Sequence, residues 1–405
     1  MPQAGLRPCW KHAVVTTLAF ALLIIGTLAC FAADAPDPEA PLGPLNEQVI
    51  RIPGEELPAV TLQVTVLRPN GNGPFPLAIM NHGATNASAW HRGDRYRLTN
   101  GAFYFLSRGY AVALPMMRGF AASGGELYYF GCDFAAVGTA YAKDIRAVIH
   151  YLGADPRFDT KRVIVAGQSY GGWNTLAVGA LNMPNVKGLI SFNGGIKTSE
   201  CKAGESSLAT AAGTFGSKTT VPSIWFYGDN DEQFPTPVWR AMYNRYNGSG
   251  GRAEVVDIGV FMKNSHGFLA YPEALALWTP KIDSFLAGIG MPYAEINQGY
   301  LPEPFPATTS FAAIDDVTAI PYLSDNARYF YRKFLEKPFP RAFVINERGG
   351  ASSYYGGFDP LGRALADCKS NNERCAAYAV DDRVVWKPFP TIPRDKTYAL
   401  SIKGD

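Results

Sequence analysis

The sequence has almost no net charge, +2 over 405 residues. Without a basic excess there is no electrostatic footprint for a polyanion, so nucleic acid is not an expected partner. Histidine is rare, at five residues, and that rarity turns the search for a general base into an elimination. Cysteine is also sparse, at six, and no CxxC pair or Cys/His cluster has the spacing of a zinc site. Neither a metal nor an organic cofactor is expected. No internal repeat or low-complexity tract is present. What the chain does have is 47% hydrophobic residues, the composition of a globular protein rather than a disordered one.

The first residues, MPQAGLRPCWKHAVVTTLAFALLIIGTLACFAADAP, place Arg7 and Lys11 before an apolar run that closes on small residues ahead of Asp34. That pattern reads as a secretory signal peptide over 1–33. Two other readings stay open: a retained anchor, since Ala13 to Ala33 is long enough to cross a bilayer, and lipid attachment at Cys30. The expected location is periplasmic or secreted, with membrane contact only through an uncleaved leader. Export leaves Cys132, Cys201, Cys368 and Cys375 in an oxidising compartment. Four cysteines allow three pairings. The short spacing of the last two favours Cys368 with Cys375, which leaves Cys132 with Cys201.

Beyond the leader, "EQVIRIP" and "VTLQVTVLRP" read as an antiparallel pair of strands. Short apolar runs ending in glycine then alternate with helical stretches, from "PLAIMNHG" through "RVIVAGQSYGG" to "AEVVDIG". Such alternation implies an α/β domain, a mostly parallel sheet of about eight strands with helices on both faces. We place this domain at 44–292, a Pro-rich linker or wrap at 293–339, and a small disulfide-stapled α+β module at 340–405. In the module, "AFVINERG" and "ASSYYGG" suggest a hairpin, "DPLGRALADCKS" a helix opened by Asp359, and "CAAYAVDDRVVW" a returning hairpin. Its Tyr354, Tyr355, Tyr378 and Trp386 are either core or a surface for a polymer.

In "RVIVAGQSYGG" a buried strand runs into Ser169, glycines permit a sharp turn, and a helix follows. This frame is a nucleophile elbow, which lifts the serine hydroxyl above the sheet. A serine needs a base to take its proton. Of the histidines, His12 lies in the leader, His150 in a helix and His82 in a loop-shaping "NHG", while His91 precedes the serine in the chain. His266, in "FMKNSHGF" after the last strand pattern, fits the order serine, acid, histidine. "WFYGDNDEQFP" supplies the acid, Asp231 before Asp229 or Glu232. Backbone N–H groups of Tyr170 and Ala84 are the expected oxyanion donors. Tyr128, Tyr129, Phe130, Trp173 and Phe234 are candidate pocket residues by closeness in sequence to these loops.

The stretches "NHGA", "MRGFAASGG", "GQSYGG", "GDNDEQF" and "SHGF" together resemble the dienelactone-hydrolase-like branch of the α/β-hydrolase superfamily, with some similarity to prolyl-oligopeptidase-type catalytic domains. The resemblance implies the α/β-hydrolase fold and acyl transfer to water by Ser169, Asp231 and His266. In relatives the "MRGFAASGG" loop helps to build the site, and Arg118 fits a loop-stabilising role. Dienelactone hydrolases carry cysteine where this chain has Ser169, and the peptidases carry a propeller that has no counterpart here. A small-molecule carboxylic ester is therefore the expected substrate, with an exported serine peptidase or amidase as the alternative. A non-catalytic binding or scaffold protein is the reading from outside the enzymes.

Overall fold

Period-two alternation decides where each strand buries its side chains. In β3 (Phe75–Asn81), Leu77 and Ile79 enter one apolar cluster while Ala78 and Met80 enter another. The split recurs in β5 (Phe158–Gln168), β6 (Val186–Phe192) and β7 (Ser223–Tyr227). There Val163, Leu189 and Trp225 join the first cluster and Ile164, Ile190 and Ile224 the second. A strand covered on both faces must be apolar on both, which explains why these segments read as continuous hydrophobic runs.

A computed structural model describes residues 45–389 apart from 56, 85–94, 97–98, 302–304, 338, 356–359 and 371–372. The leader read at 1–33, with Cys30, and also His91 and Asp359 lie outside the described residues. Among the described residues no helix is long and apolar enough to cross a membrane.

The sheet has eight strands in the order β1-β2-β4-β3-β5-β6-β7-β8, with β1 at Gln48–Pro53, β2 at Thr61–Leu67, β4 at Ala111–Pro115 and β8 at Ala253–Asp257. β1, β2 and β4 pair antiparallel at one edge, and every pairing from β4 through β3 to β8 is parallel. Helices α2 (Phe134–Leu152), α3 (Tyr170–Gly179), α4 (Gly204–Gly216) and α5 (Thr236–Gly248) close the first cluster. Helices α1 (Thr99–Ser107) and α6 (Leu275–Gly288) close the second. The α/β architecture expected from the alternation is the one observed. Helix α6 begins at Leu275, after 3-10 turns at Ser265–Ala270 and Pro272–Ala274. Pro272 opens the second turn, a position where the missing N–H costs no helical hydrogen bond.

The stretch read as a linker is not one throughout. Its start packs on the large domain, where Ile296 and Asn297 both donate N–H groups to Ser107 O at 2.8 and 2.9 Å. Its end forms α7 (Asp325–Leu335), capped by Ser324 and burying Ala327, Tyr331 and Phe334. That i, i+4, i+7 spacing is an amphipathic helical face, hidden in the sequence by the surrounding prolines. It lies against a four-stranded antiparallel sheet ordered β10-β9-β11-β12, with β9 at Arg341–Asn346, β10 at Ala351–Tyr355, β11 at Cys375–Val380 and β12 at Arg383–Val384. On one face Phe343, Ile345 and Tyr378 meet α7, and on the other Ala342 and Val344 meet α8 (Pro360–Lys369). Tyr378 and Trp386 are core residues of this module, and Tyr355 is exposed. Both expected disulfides are present, Cys132–Cys201 and Cys368–Cys375.

Candidate active site

The carboxyl ends of β5, β7 and β8 lie at one edge of the parallel sheet, with β6 between β5 and β7, and the segments that leave them carry Ser169, Asp231 and His266. Ser169 joins β5 directly to α3 with φ of +54° and ψ of −120°. A non-glycine residue pays about 1–3 kcal/mol to stay in so sparsely populated a region, so its surroundings must hold it there. They do so from both sides: its N–H donates to Phe192 O at 2.9 Å and its carbonyl accepts the Gly195 N–H at 3.1 Å. The turn is tight enough to exclude a side chain at Gly171, where a Cβ would sit 2.1 Å from Asn81 O.

His266 is the second residue of the 3-10 turn Ser265–Ala270, whose N-terminus is capped by Asn264 Oδ1 accepting the His266 N–H at 2.9 Å. The Gln168 side-chain amide donates to the His266 carbonyl at 3.0 Å. With its backbone held at both ends, the imidazole places Nε2 3.0 Å from Ser169 Oγ and Nδ1 3.0 Å from each oxygen of Asp231. A carboxylate can only accept there, so Nδ1 carries the proton and Nε2 is free to accept from the serine hydroxyl. The Phe234 ring packs 5.6 Å from the imidazole.

Asp231 is almost wholly buried. Its Oδ1 accepts the N–H groups of Gln233 and Phe234 at 2.8 and 2.9 Å, and its Oδ2 accepts the Asn193 side-chain amide at 2.7 Å. Burial opposes the charge, but hydrogen bonding and attraction to His266 together with these N–H groups hold its carboxyl below the usual range. The other two acids of the stretch point elsewhere. Asp229 accepts the Thr236 hydroxyl at 3.1 Å, and Glu232 is exposed.

Tyr170 is the first residue of α3, so helix geometry leaves its N–H without an intrahelical acceptor. Gly83 approaches Ser169 so closely that a Cβ on it would lie 3.0 Å from the serine Cβ. Gly83 O faces His82 Nδ1 at 2.8 Å, and His82 Nε2 accepts the Met117 N–H at 3.0 Å. That second bond fixes the tautomer, with the proton on Nδ1 donating to Gly83 O. In a trans peptide the next N–H points opposite to the carbonyl, so His82 sets the direction of the Ala84 N–H. Burial lowers His82 to about 4 against the pull of the Gly83 carbonyl, which keeps the ring neutral and able to accept.

The candidate pocket residues separate in the structure. Tyr129 and Phe130 are exposed on the loop that the Cys132–Cys201 bridge ties to the segment after β6. Tyr128 is half-buried, with its hydroxyl 3.2 Å from Asp144 Oδ2, and Phe234 lies against His266. Trp173 does not belong with them: it is fully buried, its indole N–H donates to Phe134 O at 2.9 Å, and it packs on Phe215. One turn into α3 its side chain is enclosed by α2 and α4, against Phe134, Gly138 and Phe215, so it is a core residue. Arg118 is also buried, paired with Asp144 at 2.6 Å and lying 4.8 Å over the Tyr128 ring.

Three contributors escaped the sequence reading. Asn193 in "SFNGG" has φ of +47° and reads as an ordinary turn residue. Gln168 reads as filler inside the elbow, and His82 as a loop histidine. The segment after β6 also ties to β7, because the Tyr227 hydroxyl donates to Gly194 O at 2.5 Å.

A family model described as "X-Pro dipeptidyl-peptidase (S15 family)" matches residues 59–235, under half of the chain. No curated protein matches it. Among solved structures the chain is similar to the acylaminoacyl peptidase of Pyrococcus horikoshii, at 16% identity and a TM-score of 0.43 over 62% of this chain and 42% of that one. This chain therefore spans less than half of that peptidase. It is also similar to a putative dienelactone hydrolase from Klebsiella pneumoniae, at 16% identity and a TM-score of 0.41 over 60% of this chain and 98% of that one. A third is esterase 2 of Thermogutta terrifontis, at 18% identity and a TM-score of 0.45 over 62% of this chain and 98% of that one.

Proposed function

We propose that this chain is a hydrolase of the α/β-hydrolase type and that it cleaves a small carboxylic ester through an acyl-enzyme on Ser169. His266 Nε2 takes the Ser169 proton as Oγ attacks the substrate carbonyl. Asp231 holds the tautomer and stabilises the imidazolium that forms. The oxyanion rests on the N–H groups of Tyr170 and Ala84. His266 then protonates the departing alkoxide, and the same nitrogen activates the water that frees the acid. The reading is carried by the Ser169–His266–Asp231 hydrogen-bonded chain, with 3.0 Å at each link. Tyr128, Tyr129, Phe130 and Phe234 border the acyl or alcohol side. The two disulfides suit an oxidising compartment, and with the leader pattern they support export to the periplasm or the medium.

The match to the X-Pro dipeptidyl-peptidase model favours a second reading, hydrolysis of a peptide or amide bond by the same three residues. Short p-nitrophenyl esters and X-Pro p-nitroanilides, compared as kcat/KM for the parent and for Ser169→Ala, test both. The proposal expects ester turnover at least 10³-fold above the Ser169→Ala background. Equal turnover in the variant ends it, and a preference for the anilides moves the function to the peptidase reading.

A further inference from the structure

Asp381, in the turn between β11 and β12, is nearly fully buried and has φ of +54°. Its Oδ1 accepts the Arg341 N–H at 2.8 Å and its carbonyl accepts Arg341 Nε–H at 3.0 Å. Oδ2 is buried and meets no donor among the described residues. The Asp381 carboxyl interacts with that of Glu273 in the Pro272–Ala274 turn, which raises its affinity for a proton. Glu273 holds Arg383 through Oε1 at 2.8 Å, and its own Oε2 is likewise buried without a donor. Two ionised carboxyl oxygens repel at such a contact, whereas a single proton between them satisfies both.

The other titratable groups at this contact do not replace that proton. Tyr271 approaches from the large domain, Arg341 from β9, and Asp382 and Arg383 from the turn itself. Arg341 spends its guanidinium on the carbonyls of Phe334, Leu335 and Lys337 as well as on Asp381 O. Arg383 is engaged by Oε1, the opposite side of Glu273. Burial, opposed by the Arg341 N–H and reinforced by Glu273, pushes the Asp381 carboxyl up to about 7.

The contact sits next to the proposed catalytic base. Glu273 follows His266 through one short, stiff path, in which the Tyr271 N–H donates to Phe268 O at 3.0 Å and the Ala274 N–H to Tyr271 O at 3.1 Å. None of the described apolar clusters joins the module to the large domain: two belong to one and two to the other. At this turn the module meets the large domain through charged groups rather than shared core.

We propose that the C-terminal module is a positioning element for the segment that carries His266. It grips Glu273 through Arg383 and through a proton shared with Asp381, and it slackens when that proton leaves. The inference rests on His266 being the base. An acid raised in the docked state favours docking at low pH, and the advantage is lost as pH rises from about 4 through about 7, by up to about tenfold per unit in the docking equilibrium.

Hydrogen exchange of the full chain at pH 5.5 and pH 8, corrected for intrinsic rates, tests this on peptides covering 265–274 and 378–386. The parent loses at least about tenfold protection in both segments at pH 8. Asp381→Asn, tolerated at positive φ and able to donate an amide N–H to Glu273 at any pH, stays protected at both. Glu273→Gln supplies the donor from the other side and also becomes insensitive to pH. Equal protection of the parent at the two values overturns the proposal, as does a loss in Asp381→Asn that matches the parent's. A fluorophosphonate probe on the same samples separates the two readings: no label on Ser169 at either pH overturns the catalytic reading on which this proposal rests, whereas label without a pH-dependent change in exchange overturns the module's role alone.

Discussion

His82 makes a quantitative case. The folded protein keeps it neutral at about 4 by burial, while in the unfolded chain it titrates near 6.5. Between those values the unfolded state binds a proton that the folded state refuses, so stability falls as pH drops from about 6.5 and the loss levels off below about 4. The displacement is worth about 3 kcal/mol at pH 4. Urea unfolding at pH 7, 6, 5 and 4 measures it as the difference between the parent and His82→Gln, which keeps an acceptor near the Met117 N–H and has nothing to titrate. The variant is expected to lose about 3 kcal/mol less than the parent over that range. His82→Asn adds the functional half. Its amide can still donate to Gly83 O, so it should keep more of the parent's kcat than His82→Gln, with KM nearly equal in the two. The same loss of stability in parent and His82→Gln would refute the reasoning, because the acid sensitivity would then come from other groups.

Asp231→Asn should lower kcat on the order of 10⁴-fold in steady-state ester hydrolysis, since an amide can donate to Nδ1 and stabilise the wrong tautomer. Trp173→Ala should cost about 3–5 kcal/mol in denaturant unfolding while leaving the ranking of ester chain lengths unchanged, and a reordered ranking would return Trp173 to the pocket. Replacing Cys132 and Cys201 by serine opens a loop of 69 residues and should cost about 4 kcal/mol by the chain-entropy account. The same change at Cys368 and Cys375, only 7 apart, should cost about 2 kcal/mol.

The parallel strands were legible because burial on both faces writes itself as an apolar run, and the elbow because a serine at positive φ needs glycines around it. Cys368 and Cys375 were legible from closeness alone. α7 was not, since its three buried residues sit among prolines that punctuate a sequence more loudly than an amphipathic face does. Trp173 misled because nearness in sequence to Ser169 says nothing about direction, and one helical turn is enough to rotate a side chain into the core. Asn193, Gln168 and His82 hold the site through partners tens of residues away, so their roles exist only once the strands have been brought together. Glu273 and Asp381 lie in different domains, and no local pattern links them.

Phe192 to Gly195 contribute no reacting atom, yet the N–H and carbonyl of Ser169, the carboxyl of Asp231 and the hydroxyl of Tyr227 are all tied to these four residues. They act as the jig against which the working parts are aligned. A library aimed at new substrates would therefore do best to diversify the loop around Tyr129 and Phe130 and leave 192–195 untouched. A change in the jig shifts every part at once, and selection for specificity would recover mainly losses.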